Sequence, residues 1–226
     1  MSPQPDGSST LIKISGIRSA EIAQVAIDAG ADAIGLVIDV PDSPRTLTVD
    51  EAHAIAATLP RRIMQIAVVC NPDPALAEQW KGTWFQLHGD EDEQTVAHFA
   101  RAKHIIRGFR FDPEQVGRWN DCRNVNILLV DGSAGGHGEA FRHEQLTALM
   151  PQITKPIMLA GGLTPENVAD AIRTVRPFAV DVSSGVETAP GVKDEGLIRR
   201  FCAAVRGRGE GAQGRRGAGA QEKKKE

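Results

Sequence analysis

Asp131 closes the apolar run Asn126–Val130 and stands directly before a glycine-rich stretch, Gly132 to Gly138. A carboxylate at the end of so apolar a run is partly desolvated, a setting in which a carboxyl serves as a general acid. The competing reading is an Asp that only caps the amides of its loop. Two Gly/Ser turns follow later apolar runs: Gly161-Gly162 after Ile157–Ala160, and Ser183-Ser184-Gly185 after Ala179–Val182. Both bring small residues and backbone N–H groups to where a phosphate could approach closely. Arg45, in the Pro-stiffened loop Ser43-Pro44-Arg45, carries a fork suited to a carboxylate, or else caps the following helix. Ser15, Gln86, His88 and Asp181 also stand at the ends of apolar runs. A lone histidine such as His88 is more often a structural hydrogen-bonder than a base.

The elements that must position these groups alternate along the chain. Candidate strands are Leu11–Ile14, Ala33–Ile38, Ile63–Val69, Trp84–Leu87, His104–Phe109, Asn126–Val130, Ile157–Ala160 and Ala179–Val182. These runs are rich in β-branched residues and mostly unbroken by polar ones, as strands buried on both faces are. Between them, Val49, Ala52, Ile55, Ala56 and Leu59 share a helical face, as do Leu197, Ile198, Phe201, Cys202 and Val205. Asp90 before Glu91, Asp92 and Glu93 marks one helix start, and Thr164 with Pro165 marks another. The helix near Pro113–Arg118 reads as the minimal one. Eight strand-then-helix units predict a single-domain (β/α)₈ barrel, with catalytic side chains at the C-terminal ends of its strands and a phosphate held by the last two loops. An open doubly wound sheet is the alternative, but no G-x-G-x-x-G follows the first run.

A chain of 226 residues can bury one substantial core. Residues 1–10 read as a flexible N-terminal extension, 11–206 as the barrel, and 207–226 as a disordered tail of Gly, Arg and Lys with no large apolar residue. A net charge of -3 gives no reason to expect a nucleic-acid partner. No apolar stretch is long enough to span a bilayer, and the N-terminus lacks a signal-peptide core. Cys70, Cys122 and Cys202 show no metal-ligand spacing and read as reduced thiols of a cytoplasmic protein. No helix face shows a decisive dimer stripe, so a monomer is the default expectation, with a homodimer as the alternative.

Taken together, Lys13–Ile17, Gly30–Gly35, Ser43-Pro44-Arg45, Phe85–Gly89, Leu128–Phe141, Leu159–Val168, Asp181–Glu187 and Gly191–Asp194 resemble the phosphoribosylanthranilate isomerase family of tryptophan biosynthesis in order and spacing. The resemblance covers nearly all of Leu11–Arg206. It implies an Amadori rearrangement of a phosphosugar substrate, without metal or organic cofactor. The furanose opens, a proton leaves C2′, and an enolamine tautomerises to the 1-deoxyribulose product. It also implies that Asp131 is the general acid, that Arg45 holds the anthranilate carboxylate, and that Gly161, Gly162, Ser183, Ser184 and Gly185 hold the phosphate.

Ser15 departs from this pattern, because the family carries a cysteine there as general base. A serine hydroxyl is far less acidic than a thiol and acts as a base only with a partner to take its proton. Three readings stay open: an isomerase whose cysteine was replaced, a paralogue isomerising another phosphosugar adduct with another base, or a non-catalytic phosphometabolite-binding protein. His137 is a candidate substitute base, although a solvent-facing loop histidine is the plainer reading. Cys70, at the end of the third run, reads as a small buried filler, with a place at the barrel mouth as the alternative.

Overall fold

Eight parallel strands close into a ring. They are β1 (Leu11–Ser15), β2 (Ala33–Ile38), β3 (Met64–Val69), β4 (Trp84–Leu87), β5 (His104–Arg110), β6 (Ile127–Asp131), β7 (Ile157–Ala160) and β8 (Ala179–Val182). Each pairs with its sequence neighbour, and β1 also pairs with β8 through Leu11↔Ala179 and Lys13↔Asp181. The computed structural model describes residues 9–101, 103–132 and 143–207. The expected strands all form, with ends shifted by a residue at most. The expected 207–226 tail beyond Gly207, and the extension before Ser9, lie outside the described residues.

Side chains on a strand alternate between its two faces. Ile12 and Ile14 of β1 belong to the apolar layer between barrel and helices, together with Ile34, Leu36, Phe85, Leu128 and Val180. A second apolar cluster, which includes Val37, Ile66, Val68, Ile106, Leu129, Met158 and Ala160, fills the barrel interior. The same alternation turns Lys13 and Ser15 of β1, Gln86 of β4 and Asp181 of β8 inward. All four are buried. The interior therefore combines apolar packing with a few buried polar side chains.

The helices forming the outer layer are α1 (Ala20–Ala29), α2 (Val49–Ala56), α3 (Leu76–Gln79), α4 (Glu93–Phe99), α5 (Pro113–Asp121), α6 (His143–Leu149), α7 (Val168–Val175) and α8 (Glu195–Val205). Most begin with a side chain that accepts from an otherwise unpaired amide. Ser19 caps α1, Thr48 and Glu51 form a capping box on α2, and Asp112 caps α5 with Pro113 in its first turn.

Three local expectations are corrected. The shortest helix is α3, with 4 residues, whereas α5 runs for 9. The cap of α4 is Asp92, not Asp90. Its neighbour Glu91 turns inward, accepts from the amides of Asn71 and Gly89, and pairs with buried Arg107 at 3.2 Å. Thr164 starts a turn rather than α7: its hydroxyl accepts from Glu166 N and its carbonyl from Val168 N.

The two ends of the barrel chain meet. Arg206, just past α8, donates to Ser9 Oγ, the Thr10 carbonyl, the Gly30 carbonyl and Asp32 Oδ2. Asp32 in turn accepts from Ile12 N at 2.8 Å.

Candidate functional site

A cavity of about 440 Å³ opens at the C-terminal ends of the strands. Ser15, Arg45, Asp131, Gly161, Gly162, Ser183, Ser184 and Gly185 all line it. Fold closure thus gathers these eight candidate residues into one space.

The turns after β7 and β8 owe their shape to glycine. Gly161 and Gly162 have φ of 86° and 65°, the left-handed region that side chains disfavour. Gly185 lies against the neighbouring loop so closely that a Cβ there would stand 1.8 Å from the Leu163 carbonyl oxygen. The two turns therefore form one small-residue cup, suited to a phosphate on backbone N–H groups.

Ser15, the last residue of β1, does not stand alone. Its hydroxyl donates to Asp181 Oδ1 at 2.7 Å. Lys13 Nζ donates to Ser15 Oγ and lies 2.9 Å from Asp181 Oδ2. Lys13 is wholly buried and Asp181 is 7% exposed. Burial pulls the Lys13 ammonium below its ordinary pKa, against the charge and hydrogen bond of Asp181. Room for this group comes from Gly35 on β2, where a Cβ would fall 2.6 Å from Ser15 Oγ. Sequence reasoning placed Asp181 at a strand end without giving it a role, and it missed Lys13. The available signal was a lysine two positions before Ser15 in an otherwise apolar run, which puts both on one face.

Arg45 makes its two-point fork inside the protein. Nε and Nη2 donate to Glu187 at 2.8 and 2.7 Å. Lys193 donates to the same carboxylate and to Ser183 O at 2.9 Å. Glu187 and Lys193 stand on the short antiparallel hairpin Glu187–Ala189/Val192–Lys193 that follows β8. Burial alone would raise the Glu187 carboxyl, but hydrogen bonds from Arg45 and Lys193 bring it down to about 2. Burial lowers the Lys193 ammonium despite Glu187 beside it. The guanidinium at the cavity wall and the Ser183 turn are thus joined through one carboxylate, a link that sequence reasoning did not find.

Across the cavity, Asp131 ends β6 with its side chain 24% exposed, and His88 Nε2 lies 3.9 Å from its Oδ2. Burial lowers the His88 pKa, outweighing the charges of Asp131 and Asp181, so the ring is neutral at pH 7. Its Nδ1 stands 2.9 Å from Gln86 Nε2. Cys70 corrects the filler reading: it is an exposed residue on the cavity wall. Partial desolvation of its thiol against the cavity wall, and then the Glu91 charge, push its pKa up, the opposite of what a thiolate base requires. His137 lies outside the described residues. Among those residues, no cluster of His, Cys, Asp or Glu has the arrangement of a metal site, and no helix is long and apolar enough to cross a membrane.

An acid, a hydroxyl backed by a carboxylate and an ammonium, a guanidinium and a glycine cup share this space. Such a set can hold a molecule anionic at both ends and move protons between its carbons and oxygens. Residues 12–204 match the family model described as "N-(5'phosphoribosyl)anthranilate (PRA) isomerase". The N-(5'-phosphoribosyl)anthranilate isomerase of Halorhodospira halophila is 40% identical over 207 residues, covering 87% of this chain and 96% of that protein. Its counterpart in Pseudomonas fluorescens is 41% identical over 205 residues, covering 86% and 97%. The crystal structure of phosphoribosyl anthranilate isomerase from Thermotoga maritima superposes with a TM-score of 0.77 at 32% identity, covering 88% of this chain and 99% of that one. A crystal structure of a phosphoribosyl anthranilate isomerase in complex with reduced 1-(o-carboxyphenylamino)-1-deoxyribulose 5-phosphate matches with a TM-score of 0.75 at 32% identity and the same coverage.

Proposed function

The chain belongs to the N-(5′-phosphoribosyl)anthranilate isomerase family, and on that premise we propose that it converts N-(5-phosphoribosyl)anthranilate into the 1-deoxyribulose 5-phosphate product in tryptophan biosynthesis. The observation that carries this reading is the single cavity lined by Asp131, Arg45, Ser15 and both small-residue turns. The phosphate seats on Gly161, Gly162, Ser183, Ser184 and Gly185. Arg45, fixed in direction by Glu187, faces the anthranilate carboxylate with the rest of its guanidinium. Asp131 protonates the furanose ring oxygen, and the opened sugar loses its C2′ proton on the side of Ser15. The enolamine then tautomerises to the ketone. The reaction moves protons within one molecule, so we assign no cofactor.

We assign the protein to the cytoplasm, with a small phosphosugar as its partner and neither nucleic acid nor membrane. A monomer is the default assignment, with a homodimer as the alternative; Phe178 and Val192 are the exposed large hydrophobics among the described residues.

Steady-state turnover of freshly generated phosphoribosylanthranilate, followed by its fluorescence loss, tests the reading on this chain and on Ser15→Cys. Both forms are expected to turn over. The cysteine form should be faster by about 10², the lower end of what a well-matched general base contributes. Silence in both forms overturns the assignment of substrate.

A further inference from the structure

The Ser15 hydroxyl cannot keep a proton taken from carbon at neutral pH, so turnover without a thiol requires an acceptor behind it. Among the described residues Asp181 supplies such a carboxylate: its Oδ1 already accepts the Ser15 hydroxyl proton at 2.7 Å. Resting on the isomerase reading above, we propose that Asp181, acting through the Ser15 hydroxyl, is the general base of this chain in place of a thiol.

In the deprotonation step the C2′–H bond breaks and its electron pair becomes the C1′=C2′ bond of the enolamine, neutralising the protonated imine. The departing proton bonds to Ser15 Oγ as the proton already on Oγ passes to Asp181 Oδ1. One O–H bond breaks as another forms, and the carboxylate ends as a carboxylic acid. The reverse relay delivers the proton to C1′ as the C2′ hydroxyl becomes a ketone and releases its own proton to solvent. Nothing is oxidised or reduced from outside.

Three features of the site suit this work. Asp181 and Ser15 are 7% and 6% exposed, so water competes poorly for either proton position. Both also line the cavity that holds Asp131, so the acceptor and the acid face one substrate. Finally, Lys13 donates to Ser15 Oγ and lies 2.9 Å from the other carboxylate oxygen, which fixes the hydroxyl and carboxylate in line and stabilises negative charge developing on Oγ. The remaining charged or titratable groups facing Asp181 are His88, held neutral by burial, and Lys193.

The test compares the parent chain with Ser15→Ala, Asp181→Asn and Ser15→Cys. For each, turnover is measured alongside affinity for reduced 1-(o-carboxyphenylamino)-1-deoxyribulose 5-phosphate. Asp181→Asn strands the Lys13 ammonium inside the barrel, so the Lys13→Met/Asp181→Asn double variant, which buries neither charge, is carried with it. Ser15→Ala, Asp181→Asn and the double variant should each lose 10²-fold or more in kcat, while the analogue binds within about threefold of parent. Turnover within threefold of parent in Ser15→Ala, or in either Asp181 variant, overturns the relay. Loss of analogue binding in step with kcat, in the double variant as well, makes Asp181 structural and overturns it too. A silent parent beside an active Ser15→Cys overturns this inference and leaves the isomerase reading standing. Silence in both overturns that reading first.

Discussion

Asp131 and Asp181 are both carboxylates facing the barrel interior, yet their surroundings fit them for different work. Asp181 is closed in by Lys13 and Ser15, whereas the Asp131 side chain stays 24% exposed and meets a neutral His88. A carboxyl that must give a proton to a ring oxygen and recover one needs that access to substrate and water. Asp131→Asn should therefore lower kcat by at least 10² while leaving affinity for the reduced product analogue within about threefold. Equal losses in kcat and affinity would mean a binding role instead. The place of Asp131 at a strand end was legible in the sequence, because it closes an apolar run. The Ser15–Asp181 contact was not, because its partners are 166 positions apart and meet only when β8 closes against β1. Arg45 was read as a fork for a carboxylate, and the structure supplies an internal one, Glu187, that no local spacing announces.

At the scale of elements, strands were easier to read than the turns that follow them. Apolar β-branched runs have one good solution in a buried parallel sheet, and all eight expected runs form. Helix starts misled where a side chain had a second use. Thr164-Pro165 has the types of a cap and first turn, but Asn167 bonds back to Thr164 N and the Gly162 carbonyl, which closes a turn and delays α7 to Val168. Glu91 sits among acidic helix-start residues, but pairing with Arg107 draws it into the interior. The β7–α7 and β8–α8 turns carry the sharpest consequence at this scale. They touch backbone to backbone at Gly185, where a Cβ would stand 1.8 Å from Leu163 O. Gly185→Ala must push the turns apart, at a cost of about 1–3 kcal/mol in stability. The spread cup should raise KM about tenfold, with inorganic phosphate losing its ability to compete. An unchanged KM with lowered stability would show that the turns carry packing and not phosphate.

The response of the whole barrel to acid follows from how its closure buries charge. Eight alternating units made the closed fold legible, but a sequence does not show which ionisable groups closure will strip of water, and those groups set stability against pH. Burial lowers the His88 pKa below its unfolded value near 6.5, so below that pH the unfolded chain binds the proton more readily and stability falls. Glu187 is lowered from an ordinary 4.5 to about 2 by Arg45 and Lys193. A depressed carboxyl stabilises the fold above its unfolded pKa and loses that contribution as pH falls through the window from 4.5 to about 2. The two groups act with the same sign in successive windows. Because the Arg45 side of the cluster opens on the cavity, solvent screening reduces the Glu187 contribution to on the order of 2 kcal/mol, less than the whole shift implies. Urea unfolding from pH 7.5 to 2.5 should therefore show two declines. His88→Gln should flatten the first and leave the second. Glu187→Gln should remove its share of the second and also weaken the parent at pH 7, because it leaves Lys193 buried with a neutral partner. If the difference between parent and Glu187→Gln is the same at pH 3 as at pH 7, the Arg45–Glu187–Lys193 cluster does not couple to folding. The hairpin after β8 would then be a surface addition to the barrel and not part of its closure.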